Sequence, residues 1–124
     1  MTIMTRNCRT LRAGSMERIL IASRNKPTEI GPKLGVLCIR GKVPAAFVGA
    51  VVGTTEQTVY RWFYGETDVT NQDRRKKVIR LTEILRYAIS HTLLPVGGDY
   101  GRIEERLTAA AIALKQELLQ QQSK

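Results

Sequence analysis

The side chains with most to offer chemically lie between positions 55 and 64. Thr55, Glu56, Gln57, Tyr60, Arg61 and Tyr64 fall on one side of a short helical pattern, and Val59, Trp62 and Phe63 fall on the other. A carboxamide, a guanidinium and phenol hydroxyls recognise other molecules through hydrogen bonds. None of them stands as a nucleophile beside a base. A side that had only to meet water would more often carry Lys and Glu. Elsewhere no metal-ligand spacing occurs, and the glycines of GGDYG (97–101) lack the lysine that follows a phosphate-cradling loop. Cys8 and Cys38 fit no ligand pattern and read as free thiols in a reducing cytoplasm, with a disulfide between them as the alternative. The single His91 has no carboxylate or cysteine neighbours and reads as a helix-surface residue. No catalytic residue, metal, cofactor or small-molecule substrate is therefore expected, and the chain does not read as an enzyme.

Charge points to the class of partner. Twenty Lys and Arg stand against 11 Asp and Glu, for a formal net charge of +9 and a pI of about 10.1. Such a surface attracts polyanions: DNA, RNA or an anionic membrane face. Arg74, Arg75, Lys76 and Lys77, followed by Arg80, form one cluster; Arg6, Arg9, Arg12 and Arg18 form another. Cations at the start of a helix oppose its dipole, each at a cost of about 0.3–1 kcal/mol. Phosphates are a natural offset. A solvated face beside Asp68 and Asp73 is the alternative. No apolar run approaches the ~20 residues a bilayer crossing needs. The first sixteen residues contain no acid, a composition shared by transit peptides and nucleic-acid-binding arms. Met16 is a second candidate start, which would make the leader an upstream extension.

These groups need elements to hold them. At 124 residues and 43 % apolar, the chain has room for one folded domain with a modest core. The pattern predicts an all-α protein in three parts: a basic arm with a short apolar segment (1–30), a central helical domain (31–95) and a C-terminal amphipathic helix (102–122). Residues 16–23 fit helix or strand. Residues 24–33, with Asn25, Pro27, Gly31 and Pro32, read as a connection. Pro32 opens a helix of about 32–41 with Leu34, Leu37 and Cys38 inward and Gly41 at its end. GETDVTNQ (65–72) reads as a loop. A long helix of about 72–93 follows, capped by Thr70 or Asn71 and stopped by Pro95 and Gly97–Gly98; Val78, Leu81, Leu85, Ala88 and Ile89 form its apolar stripe. In the last helix Ile103, Leu107, Ala110, Leu114 and Leu118 line one side, and Glu104 and Glu105 sit near its positive end. That side either packs on the long helix of its own chain or joins subunits.

The segment VPAAFVGAVVGTTEQTVYRWFYG (43–65) has its own logic. Pro44 is placed for a helix start. Val48, Val51 and Val52 give that helix an inward face. Gly49 is small where two helices must meet closely. Gly53 stands where the chain must turn sharply, with a positive φ that glycine adopts cheaply. Thr54 or Thr55 then caps a second helix, and Thr54 with Gln57 has the capping-box spacing. Gly65 closes it.

This segment resembles the helix-turn-helix of lambdoid phage repressors and Cro proteins. Gly53, Thr55, Gln57 and Val59 in VGTTEQTV carry the likeness, with Trp62 and Gly65, and the motif core is Val48, Gly49, Val52, Gly53, Val59 and Trp62. It covers residues 44–65 only. Ala45 stands where the family often has a phosphate-holding polar residue, and Thr54 where it usually has an apolar one. The resemblance implies that a helix of about 55–64 enters the major groove of double-stranded DNA. Gln57 would then pair with adenine, Arg61 with guanine and Glu56 with cytosine, while Thr55 and Tyr60 reach phosphates or thymine methyls. Tyr64, the 74–77 cluster and the arm arginines would contact phosphates. The expected function is a small phage-like transcriptional regulator acting as a dimer in the host cytoplasm. The alternative is a virion assembly protein, forming a ring, that uses the motif for packing between subunits and meets DNA non-selectively.

Overall fold

A computed structural model describes residues 13–97 and 99–122. The chain is all-α, with no strand among the described residues. Six helices follow in order: α1 (Ala13–Asn25), α2 (Ile30–Gly41), α3 (Ala45–Val52), α4 (Glu56–Phe63), α5 (Gln72–Ser90) and α6 (Tyr100–Gln122).

The ambiguous segment at 16–23 is helix, because Ile19 and Ala22 recur at the spacing that buries one helical face. The expected connection at 24–33 is shorter than its composition suggests. Helix α2 begins at Ile30, so Gly31 and Pro32 lie in its first turn, where a missing N–H costs nothing. Its left-handed end residue is Lys42 (φ 54°), one past the expected Gly41. Leu34, Leu37 and Cys38 are buried as the stripe predicts.

Helix α2 is central to the fold: α1, α4 and α5 all pack on it. Two of its glycines permit this. A Cβ on Gly31 would collide with the Trp62 carbonyl, and one on Gly35 would lie 2.7 Å from Ile19 Cγ2 and 3.1 Å from Phe63 Cγ. Helix α4 thus rests its Trp62–Phe63 side directly on the α2 backbone. Ile19 of α1 and Ile103, Leu107 and Ala110 of α6 are buried in one apolar cluster with Leu34, Val48, Val59, Phe63 and Leu85. Phe47 and Tyr100 meet edge to face, with ring centroids 5.7 Å apart, and join α3 to the start of α6.

Helix α5 is capped by Asn71, whose Oδ1 accepts from the Arg74 N–H at 3.0 Å. It ends at Ser90, earlier than Pro95 would require, with His91 as cap and Thr92 left-handed (φ 57°). Val78, Leu81, Leu85 and Ala88 are buried, and Ile89 is partly so. The acid that opens α6 is Asp99, whose Oδ1 accepts from Arg102 N–H at 3.1 Å; Glu104 and Glu105 fall in the second turn. The α6 stripe is buried only in its first half. Leu114 is half-buried and Leu118 is 41 % exposed. No helix is long and apolar enough to cross a membrane among the described residues.

Candidate nucleic-acid interface

Helices α3 and α4 are joined by the three residues Gly53–Thr55. Gly53 is left-handed (φ 87°), and its N–H and that of Thr54 both donate to the Gly49 carbonyl, at 2.8 and 2.9 Å. Gly49 must be glycine for a different reason. A Cβ there would lie 2.8 Å from the Thr54 carbonyl oxygen, so the chain entering α4 crosses α3 at backbone contact. Val48 and Val52 are buried as expected. Val51 is not; it is 46 % exposed.

Thr55 is the cap of α4, and its Oγ1 accepts from Thr58 N–H at 3.2 Å. The Thr54–Gln57 box does not form: Thr55 also donates to Thr58 Oγ1 at 2.9 Å, and Thr54 lies on the turn against Gly49. Glu56 is the first helical residue, where a carboxylate complements the dipole. Val59, Trp62 and Phe63 are buried, and Gly65 closes the helix with φ 70°.

The expected base-contacting residues separate into two groups. Thr55, Glu56, Gln57 and Arg61 are exposed. Gln57, Glu56 and Arg61 make no side-chain hydrogen bond or ion pair among the described residues. Tyr60 is half-buried, packs on the core and meets Phe63 edge to face at 6.1 Å. Tyr64, expected at a phosphate, is engaged within the chain. Its hydroxyl donates to Ser15 Oγ at 2.9 Å, its ring stacks on Tyr60 at 5.7 Å, and the Arg18 guanidinium sits 3.8 Å above its centroid.

The basic cluster separates likewise. Helix α5 begins at Gln72, so only Arg74 and Arg75 share its first turn, and Asp73 sits there with them. Arg74 Nη2 donates to the Gly53 carbonyl at 3.4 Å. Arg75 Nη1 donates to the Val69 carbonyl at 3.2 Å and lies 3.7 Å from Asp68. Both arginines thus have partners within the chain while remaining exposed. Lys76, Lys77 and Arg80 are exposed, with no ion pair among the described residues. Arg18, grouped with the arm on sequence, belongs to α1 and pairs with Glu66 at 3.0 Å. Arg6, Arg9, Arg12 and Cys8 lie outside the described residues.

Ala45 is only 2 % exposed and offers no phosphate ligand at the start of α3. Ser15 and Glu66 are the site neighbours that sequence did not point to. The spacing of Met16, Ile19 and Ala22 signals the helix that carries Ser15 and Arg18, but nothing in sequence pairs that helix with the end of α4. His91 is exposed, stacked on Tyr87 at 3.8 Å. Cys38 is fully buried, and loss of solvent pushes its thiol pKa well above the ordinary range. No group of three metal-ligating side chains occurs among the described residues. Comparison of the chain with protein-family models, curated proteins and solved structures gave no match.

Proposed function

We propose that this chain is a helix-turn-helix protein that binds double-stranded DNA, a small phage-like regulator whose α4 reads the major groove. One observation carries the reading. A capped helix, set off by a tight glycine turn, keeps a carboxamide (Gln57) and a guanidinium (Arg61) exposed and unspent while its opposite side fills the core. These two groups have the donor and acceptor geometry that distinguishes adenine and guanine edges. Segment 43–65 is itself neutral, with Glu56 against Arg61, so it contributes selectivity more than attraction. Attraction comes from Lys76, Lys77, Arg80 and the basic arm, whose phosphate contacts orient the protein without reading sequence.

A second reading, a subunit of a ring-like assembly, is favoured by the outer apolar residues of α6. Ile112 is 56 % exposed and Leu119 is 54 % exposed, seven residues apart on the side away from Ile103 and Ala110. The same residues would also serve a dimer that sets two α4 helices one DNA turn apart.

A gel-shift titration against varied duplexes at two salt concentrations separates the two. A regulator retards some sequences at far lower protein concentration than others, and its affinity falls steeply with salt. Equal retardation of every duplex, together with ring-sized oligomers in solution, supports the assembly role instead.

A further inference from the structure

We propose that Arg18 and Glu66 act, through Tyr64, as positioning residues for α4, and that Arg18 is not a phosphate ligand; this rests on the DNA-reading function above. Three contacts converge on the last turn of α4. Arg18 lies over one face of the Tyr64 ring at 3.8 Å, and Tyr60 stacks on that ring with centroids 5.7 Å apart. The Tyr64 hydroxyl is tied to Ser15 of α1. The same guanidinium is then paired with Glu66 at 3.0 Å, one residue past the closing Gly65. Helix α1 therefore grips both the end of α4 and the chain that leaves it. Lys26, the residue that follows α1, donates to the Gly65 carbonyl at 2.6 Å.

An eight-residue helix has too few internal hydrogen bonds to hold its own direction. Its leading end is fixed by the turn at Gly53 and the Thr55 cap. Its trailing end has Trp62 and Phe63 below and this brace at the side. A base-reading side chain tolerates little displacement before its paired hydrogen bonds are lost. The brace accordingly affects selective binding and leaves general attraction to DNA alone.

Two variants that remove no cation test this: Glu66→Gln and Tyr64→Leu. The readouts are affinity for a selected and an unselected duplex, salt dependence, and hydrogen exchange of the Gly65 and Glu66 amides, which donate to Trp62 and Arg61 carbonyls. Positioning predicts that selective affinity falls roughly two- to fivefold, the scale of an exposed cation–ring contact. It also predicts unchanged unselective affinity and salt dependence, and faster exchange at both amides. If Glu66→Gln instead binds every duplex more tightly with steeper salt dependence, the freed Arg18 is a phosphate ligand and the proposal is overturned. Unchanged exchange with unchanged selectivity overturns it too. If the parent protein selects no duplex, the DNA reading fails separately, and amide exchange alone decides the brace. Should Tyr64→Leu not fold, Glu66→Gln, at a half-exposed side chain, carries the test.

Discussion

Gly49 and Gly53 stand four residues apart and are glycine for opposite reasons. At Gly53 the backbone is left-handed, yet a Cβ would meet nothing within 4 Å. The cost of Gly53→Ala is therefore conformational alone, about 1–2 kcal/mol. Gly53→Asn should recover part of it, because asparagine tolerates that region. At Gly49 the backbone is ordinary helix but a Cβ would press on a carbonyl oxygen that cannot move aside. Gly49→Ala should cost about 1–3 kcal/mol, and asparagine there gives no relief. Urea unfolding of the four variants checks both statements. Cys38 supplies a further expectation. Burial raises its pKa, so the folded protein holds a neutral thiol where the unfolded chain ionises. Stability from this group is present at low pH and lost as pH rises above about 9. Alkylation at pH 8, read by mass mapping, should spare Cys38 in the folded protein and modify it in urea.

At the scale of elements, periodicity and caps were the legible signals. The stripes of α2 and α5 and the turn at Gly53 follow directly from spacing and from glycine's backbone freedom. Boundaries were less legible where two signals competed. Gly31 looks like a loop residue until α4 is seen lying on it; only the packed partner explains a glycine in that first turn. Likewise, sequence does not show that Gly53, Val69 and Asp68 lie within reach of Arg74 and Arg75. The element that keeps its cations free is the second turn of α5. Lys76→Gln with Lys77→Gln should leave the thermal midpoint close to the parent's, since both side chains are exposed and unpaired among the described residues. The same pair should lower the slope of log affinity against log salt by about two units. A salt dependence equal to the parent's would remove Lys76 and Lys77 from the interface. The cap makes a simpler prediction: Thr55→Ala costs about 1 kcal/mol of stability by leaving the Thr58 N–H without its acceptor.

For the whole molecule, the distribution of apolar and charged groups suggests a division of labour. The core draws on all six helices, so α1 and α6 contribute to the same folded unit as the α3–α4 pair. Sequence spacing could place Leu118 on the core stripe of α6 but could not show that the core ends before reaching it. Ile112 and Leu119 remain on the outer side. Replacing both with Asp should keep the helical fold and reduce self-association, measured by sedimentation over a range of concentration. If those substitutions leave the oligomeric state as it is, the outer side of α6 is not the contact between copies. For a dimeric regulator the loss would extend to DNA, since half-sites bound singly bury less surface and bind more weakly.

Under the proposed function, selective binding depends most on Arg61 and Gln57 meeting base edges. Selection from a pool of randomised duplexes, followed by sequencing, tests this for the parent and for Gln57→Ala and Arg61→Ala. The parent should enrich a defined sequence, and each variant should lose preference at one position, worth about 1–3 kcal/mol, while the rest of the sequence is retained. Pools that emerge with the same composition from parent and variants alike would contradict it.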